Sequence, residues 1–144
     1  MNLVFGVDQA VAEWVRIRIP GARDFGACAA IGVARDDRLI AGVVYSDFRP
    51  AYGNVMMSVA AEPDSHWLTR GALAAFFHYP FMQLGCQRVT SAIARRNKRS
   101  RAFCEKIGFK YEGCIRRGFG TDDAMLYGLL DTECRWIAAL RKAA

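Results

Sequence analysis

The sequence lacks the features of a metal-binding or membrane-spanning protein. It contains no Cys-x-x-Cys pair, and its only two histidines, His66 and His78, show no metal-ligand spacing with the cysteines. These absences argue against a zinc site, so we expect no bound metal. No apolar run approaches the ~18 residues of a transmembrane helix. Internal repeats and low-complexity segments are absent as well. We therefore expect no membrane association.

Cysteine usage does not indicate a disulfide framework. The five cysteines are an odd number at irregular spacing, and most of them stand among apolar residues. We interpret them as buried, reduced thiols. The first 14 residues contain neither a basic segment nor a long apolar run, so we expect no signal peptide. Together these observations predict a cytoplasmic protein.

Length and charge indicate one domain with an anionic partner. A chain of 144 residues, of which 53% are hydrophobic, is long enough to bury a substantial core, and we predict a single domain over residues 1–144. The net charge is +6, and six of the basic residues fall within residues 88–101. Such a concentration favours a local anion site over a general basic coat.

Hydrophobic periodicity predicts an alternation of helices and strands. Asp36 and Asp37 form the predicted turn of a β-hairpin, and a strand–helix–strand unit follows it. We therefore predict an α/β (α+β) domain whose mixed, mainly antiparallel sheet has helices on both faces. The predicted helices are 8–19, 68–84, 98–107 and 132–141, and the predicted strands are 25–34, 39–47, 54–62, 88–93, one starting at 109, and 124–130.

The start of the third predicted helix is unusually basic. Asn97 is placed to cap this helix, and Gly108 is placed to end it. Five cations surround Asn97, although cations are disfavoured at a helix N-terminus. A phosphate group would resolve that conflict, because free N–H groups and guanidinium groups both attract it. The alternative is an ordinary helix cap beside a solvated basic surface.

Residues 97–127 contain a spaced pattern: Asn97-x-x-Ser100-x-x-Phe103-x-x-x-x-Gly108-Phe109-x-x-Glu112-Gly113, then Arg116, then Asp123-x-x-x-Tyr127. This pattern resembles the GNAT superfamily of acetyl-CoA-dependent N-acyltransferases. It is most similar to the branch that acetylates protein N-termini, including ribosomal-protein alanine acetyltransferases. The order of predicted elements agrees with that family over residues 8–130.

The resemblance implies acetyl-CoA as acyl donor and a primary amine as acceptor. It implies that the third strand of the meander and the next, parallel strand diverge around the cofactor. Backbone groups of the first strand would pair with the pantetheine arm, and the loop before the next helix would bind the pyrophosphate. The cofactor-binding residues implied in this way are Val59, Ala60, Ala61, Trp67, Thr69, Arg70, Gly71, Asn97, Arg99 and Phe103.

Two positions depart from the family pattern. The pyrophosphate loop of the family is rich in glycine, whereas residues 64–71 contain one glycine and the bulky Trp67. Many members also place a tyrosine acid where this chain has Cys104. In the ribosomal-protein branch the serine of the motif is the suggested acid, which corresponds to Ser100. Glu62, at the end of the third strand, is our candidate for the base.

Other functions stay open at this point. The altered loop is compatible with a GNAT-like module that binds CoA weakly and serves as a binding or structural domain. A nucleic-acid-binding protein is a third possibility, ranked last because the basic residues form a cluster and not a stripe. The acceptor amine carries no diagnostic motif. A homodimer is plausible because Trp136 lies in an apolar C-terminal segment.

Overall fold

Seven strands form one mixed sheet in the computed structural model, which describes residues 1–138. The strand order in the sheet is β1-β2-β3-β4-β5-β7-β6. The elements in chain order are β1 (Asn2–Val4), α1 (Asp8–Arg16), β2 (Cys28–Arg35), β3 (Arg38–Arg49), β4 (Asn54–Ala61), α2 (Arg70–His78), β5 (Arg88–Ala94), α3 (Lys98–Lys106), β6 (Lys110–Ile115) and β7 (Ala124–Leu130). The predicted α/β class with helices on both faces is confirmed.

The β2–β3 hairpin turns through the two predicted aspartates. Asp36 and Asp37 both have positive φ angles, 52° and 61°, which is the backbone of the tight turns that favour hairpins. Aspartate tolerates this conformation better than most residues. The turn sets the pairing beside it, Ala34 with Leu39, and a β-bulge between Val33 and Ala34 then shifts the register of the rest of the β2–β3 pair. Strand β3 in turn pairs antiparallel with β4.

Helix α1 approaches one face of the sheet through two glycines. Gly32 and Gly42 stand directly opposite each other on β2 and β3. A Cβ atom on Gly42 would lie 2.9 Å from Val15 Cγ2 and 3.0 Å from Val11 Cγ1. Both valines are fully buried, so the helix rests on bare backbone at this point. Without these glycines α1 would have to move away from the sheet.

Helices α2 and α3 cover the other face and enclose the main core. The core combines aromatic side chains of both helices with apolar side chains of the sheet. Phe76 and Phe77 of α2 are fully buried, and Tyr127 of β7 is fully buried beneath α3. Both helices follow a strand and lead into the next parallel strand, which places their N-termini at the same edge of the sheet.

Several predicted boundaries need correction. The three-residue strand β1 was missed because it is too short to show a periodicity. Asp8, of a residue type that favours helix N-caps, begins the predicted helix 8–19 and would be expected to cap it. Val7 is the N-cap instead, and Asp8 Oδ1 accepts a hydrogen bond from the Ala30 N–H at 2.9 Å. The predicted helix 68–84 is α2 followed by a π-helical turn, Tyr79–Gln83, where Pro80 interrupts the regular hydrogen bonding.

The predicted helix 132–141 is wrong in its first half. Asp131–Glu133 is a single 3-10 turn, and the chain from 134 to 137 is irregular. Cys134 and Ile137 are buried, while residues 139–141 of the predicted helix lie outside the described part. The indole N–H of Trp136 donates to the Ile107 carbonyl at 2.8 Å, and this contact ties the segment to the core. Less of Trp136 is therefore left for a partner than predicted, and the homodimer stays a prediction.

Two findings concern the redox state and the membrane. All five cysteines are free thiols. None of the helices in residues 1–138 combines the length and the apolar character that crossing a bilayer requires.

We predict that Gly42→Ala destabilises the fold by about 1–3 kcal/mol, because the added methyl group overpacks the contact with Val11 and Val15. The measurement is urea denaturation. Gly71→Ala is the matched control, since the nearest atom to its added Cβ is Thr69 Oγ1 at 3.9 Å. Equal stability of the two variants would contradict the close packing of α1.

Candidate active site

Strands β4 and β5 pair over three residues and then diverge. The parallel pairs are Asn54–Arg88, Val55–Val89 and Met56–Thr90. The buried Ser91 hydroxyl donates to the Met57 carbonyl at 2.7 Å, which makes the last link between the strands. Past this point β4 pairs with β3 and β5 pairs with β7, and the described residues make no further pair between β4 and β5. The gap between residues 58–61 and 92–94 is called the fork below.

Alternation along β4 decides which backbone groups face the fork. The Glu62 N–H donates to the Ile40 carbonyl on β3, whereas the Met57 carbonyl points to β5. Neighbouring residues of a strand direct their backbone groups to opposite sides. Val59 and Ala61 therefore present N–H and C=O groups to the fork, while those of Ala60 point to β3. Of the three residues predicted in this strand, two have the geometry to pair with an extended ligand.

The N-terminus of α2 offers unused backbone donors at the same edge. The Thr69 hydroxyl caps the helix by accepting from the Ala72 N–H at 3.1 Å. The N–H groups of Arg70 and Gly71 have no hydrogen-bond partner among residues 1–138. Gly71 is exposed, and the space beside its Cα is open. Two free N–H groups at the positive end of a helix form a suitable site for an anion.

A buried tryptophan, and not a run of glycines, holds the loop before α2. The Trp67 ring is only 9% exposed; it stacks on Phe76 at 5.6 Å between ring centroids and meets Phe103 in a tilted arrangement at 5.8 Å. The Arg35 guanidinium donates to the Ser65 carbonyl at 2.6 Å and fixes the loop from the other side. The side chains of Trp67 and Phe103 thus form the wall between α2 and α3.

The predicted cap of α3 is present. The Asn97 side chain accepts from the Ser100 N–H at 3.2 Å. Ser100 is half-buried in the first turn of the helix. Because the amide oxygen of Asn97 serves the helix, its amide nitrogen is the group that remains for a ligand.

Three of the five cations around Asn97 are bound by the protein itself. Arg95 pairs with Asp123 at 3.3 Å, and Arg96 pairs with Asp122 at 3.4 Å. Arg101 Nε donates to the Tyr127 hydroxyl at 3.0 Å. Lys98 and Arg99 are exposed and make no ion pair within the described chain. The cationic groups that remain for a phosphate at this helix are therefore Lys98 and Arg99.

The opposite face of the fork holds a fixed carboxylate. Glu62 Oε1 accepts from Arg18 Nη2 at 2.7 Å and from Arg18 Nε at 3.2 Å. The same guanidinium lies 3.6 Å from the Trp14 ring centroid and donates to the Trp14 carbonyl at 3.0 Å. The second carboxylate oxygen, Oε2, has no hydrogen-bond partner within residues 1–138. Sequence reasoning missed Arg18 and Trp14, since 44 residues separate Arg18 from Glu62.

Cys104 takes no direct part in this arrangement. Its thiol is 6% exposed, and burial raises its pKa to about 12, although a hydrogen bond with Ser91 partly offsets this effect. The thiol therefore stays protonated and packed in the core at neutral pH.

Comparison with known proteins places this geometry in a family. Residues 7–110 match the family model described as an acetyltransferase (GNAT) domain, which is well over half of the chain. The chain belongs to the GNAT acetyltransferase family. GNAT domains generally take the acyl group from acetyl-CoA. The match confirms the predicted superfamily, and the ribosomal-protein branch stays a prediction.

Solved structures agree with this GNAT fold. A protein described as a probable acetyltransferase is 23% identical, with a TM-score of 0.63 over 73% of this chain and 63% of that chain. The dodecameric spermidine N-acetyltransferase from Vibrio cholerae is 18% identical, with a TM-score of 0.65 over 74% and 67% of the two chains. A candidate acetyltransferase from T. thermophilus is 17% identical, with a TM-score of 0.66 over 82% and 67%.

Those likenesses establish the fold alone. This GNAT chain spans 63–67% of the length of the three structures. No curated protein matches the chain in sequence.

We predict that Ellman's reagent at pH 8 modifies Cys114 first, because Cys114 is exposed and the thiolate is the reactive form. Burial raises the pKa of Cys86, Cys104 and Cys134, which should react only slowly. Stopped-flow absorbance and mass spectrometry measure the order. Loss of the fast phase in Cys114→Ser is expected, and Cys104 labelled within that phase would contradict its burial.

Proposed function

We propose that this protein transfers the acetyl group of acetyl-CoA directly to a primary amine, either a protein N-terminus or a small amine. The observation that carries this proposal is the fork between β4 and β5. It has anion-binding groups at the start of α2 and α3 on one face and the Glu62 carboxylate on the other. A fork of this kind lets a donor and an acceptor approach the same point from opposite faces of the sheet.

The residues at the fork fit an extended, phosphate-bearing cofactor. Val59 and Ala61 would pair with the pantetheine amides through their backbone groups. The N–H groups of Arg70 and Gly71 would bind the pyrophosphate, which the macrodipole of α2 also attracts. These groups are unpaired in the described chain and would otherwise be satisfied only by water.

The other predicted cofactor-binding residues would contact the cofactor through side chains or support the residues that do. Asn97 and Arg99 would contact the cofactor beside α3, and Lys98 supports them with a second charge. Trp67 and Phe103 would contact it through the wall that they form, and Thr69 would hold the first turn of α2 in place. The backbone of Ala60 points to β3, so we assign this residue no cofactor contact.

Two side chains are proposed for the proton transfers. Acetyl-CoA supplies an acetyl group activated as a thioester. Glu62 would take the proton that the acceptor nitrogen loses as the new C–N bond forms, through the oxygen that Arg18 leaves unbound. Ser100 would give its hydroxyl proton to the sulfur as the C–S bond breaks. Arg18 is a positioning residue, because it holds Glu62 in one orientation.

The class of acceptor, the oligomeric state and the cellular compartment are proposed from one structural neighbour and from the free cysteines. The Vibrio cholerae neighbour is named for spermidine, which carries primary amines, and this supports an amine acceptor here. Its dodecameric state makes a homo-oligomer worth testing. Five free thiols are typical of a reducing compartment, so we propose that the protein works in the cytoplasm.

We predict that acetyl-CoA binds with a Kd near the ~1 μM level and that Arg99→Ala weakens binding about threefold to tenfold, because an exposed charge–phosphate contact contributes roughly 1 kcal/mol. Isothermal titration calorimetry of the purified chain measures this. Arg38→Ala, which removes an exposed arginine beside the hairpin turn, is the matched control.

The same titration decides whether the chain has kept its cofactor. Absence of heat at high acetyl-CoA concentration would reject the proposed enzyme. That result would favour a GNAT-like binding or structural module whose loop before α2, held in place by Trp67, no longer binds the cofactor.

We predict that Glu62→Gln lowers kcat/KM for an amine acceptor by about 100-fold or more, since a positioned general base contributes roughly 10²–10⁴-fold. The measurement is release of CoA thiol at several pH values. Glu13→Gln is the matched control, because Glu13 also pairs with an arginine, Arg16 within α1 at 2.5 Å, but on the solvent side. An unchanged pH–rate profile in Glu62→Gln would remove Glu62 from the mechanism.

A further inference from the structure

A second concave site lies away from the fork. A cavity of about 400 Å³ opens at the edge of β2, between the segment leading into α1 and the C-terminal end of α2. Its lining includes Phe5, Asp8, Tyr45, His78, Tyr79 and Gln83. The cavity lies against β2 and β3, whereas the fork opens between β4 and β5. Helix α1 begins at the cavity and ends near Arg18, roughly 12 Å along its axis.

Aromatic rings form much of this cavity. The Tyr45 and Tyr79 rings lie 4.9 Å apart between centroids and are tilted against each other. Tyr45 is buried, and its hydroxyl donates to the Phe76 carbonyl, so it serves as the floor. Phe5 is 61% exposed and stands at the entrance. The Tyr79 hydroxyl has no hydrogen-bond partner among residues 1–138.

Asp8 gives the cavity a negative charge. One carboxylate oxygen accepts from the Ala30 N–H, and the other has no hydrogen-bond partner within the described residues. Neighbouring groups experience this charge. Burial raises the pKa of Tyr79, and the charge of Asp8 raises it further. The pKa of Cys28 is raised by burial and then by the charges of Asp8 and Asp24. A negative cavity in a chain of net charge +6 is a local exception.

We propose that this cavity binds a small organic cation, an alkylammonium group that faces the Asp8 carboxylate and contacts the rings of Phe5 and Tyr79. Aromatic faces attract such cations, and their alkyl groups gain from leaving water. An anion would be repelled by Asp8. A neutral apolar molecule would leave the Asp8 carboxylate and the Tyr79 hydroxyl without water or a partner. This site is independent of the proposed acetyl transfer.

A quaternary ammonium ion tests binding at this cavity separately from acetyl transfer at the fork. Choline has no N–H on its cationic nitrogen, so that nitrogen cannot be acetylated. Its neutral isostere, 3,3-dimethylbutan-1-ol, has the same shape without the charge. The full chain is titrated with each compound and followed by ¹⁵N–¹H NMR. We expect choline to shift the amides of Gly6, Ala30 and Tyr79, with about tenfold tighter binding than the isostere.

Matched variants test the role of each group. Asp8→Asn keeps an oxygen that can accept from the Ala30 N–H but removes the charge, and we expect it to weaken choline binding about tenfold and leave the isostere unaffected. Asp37→Asn makes the same change in the hairpin turn, where asparagine tolerates the φ of 61°, and should change neither. Phe5→Ala removes an exposed ring without disturbing the core and should weaken choline severalfold.

Three results would overturn the proposal. One is the absence of shifts in these amides at tens of millimolar choline. Another is equal binding of choline and its isostere. The third is an equal loss in Asp8→Asn and Asp37→Asn. If Asp8→Asn does not fold, Phe5→Ala decides the question, and unchanged choline binding in that variant would reject the site.

Discussion

The divergence of β4 from β5 is the constraint on which the candidate site depends. Three residue pairs hold the two strands together, and the Ser91–Met57 hydrogen bond closes the ladder. Beyond it, Val59 and Ala61 face a gap in which only water or a ligand can satisfy their backbone groups. Since α2 and α3 follow these two strands, the free N–H groups of α2 and the unpaired cations of α3, Lys98 and Arg99, lie at the same edge. One break in a sheet thus produces a slot and a candidate anion site together.

On the other face of the sheet, the close packing of α1 determines which side chains an acceptor amine would contact. Gly32 and Gly42 let α1 rest on bare backbone, and the chain after α1 then carries Arg18 onto Glu62. The guanidinium is held by the carboxylate, by the Trp14 carbonyl and by the Trp14 ring, so it has little freedom to move. Because both side chains are about 30% exposed, their attraction is screened by water, and the pair matters more for orientation than for stability.

Local sequence signals predicted the parts of this fold that depend on neighbouring residues. The turn at Asp36 and Asp37, the cap at Asn97 and the glycine that ends α3 at Gly108 each follow from the conformational preference of one residue type. The position of the fork cannot be predicted from local sequence signals, because β4 and β5 both have ordinary strand sequences. Only their tertiary pairing shows where the two strands separate. The same holds for the ion pairs of Arg95 and Arg96, whose partners lie more than 20 residues away.

The loop before α2 shows why the family pattern alone misleads. A glycine-rich loop presents N–H groups because its backbone is free to bend around a phosphate. Here the loop is held by Trp67, which is buried between Phe76 and Phe103, and truncation of such a buried tryptophan to alanine typically costs about 3–5 kcal/mol. A loop fixed by its side chain loses less conformational entropy when an anion binds, so fewer glycines do not imply a weaker site. The strength of anion binding depends on whether the N–H groups of Arg70 and Gly71 stay accessible, and both residues are exposed.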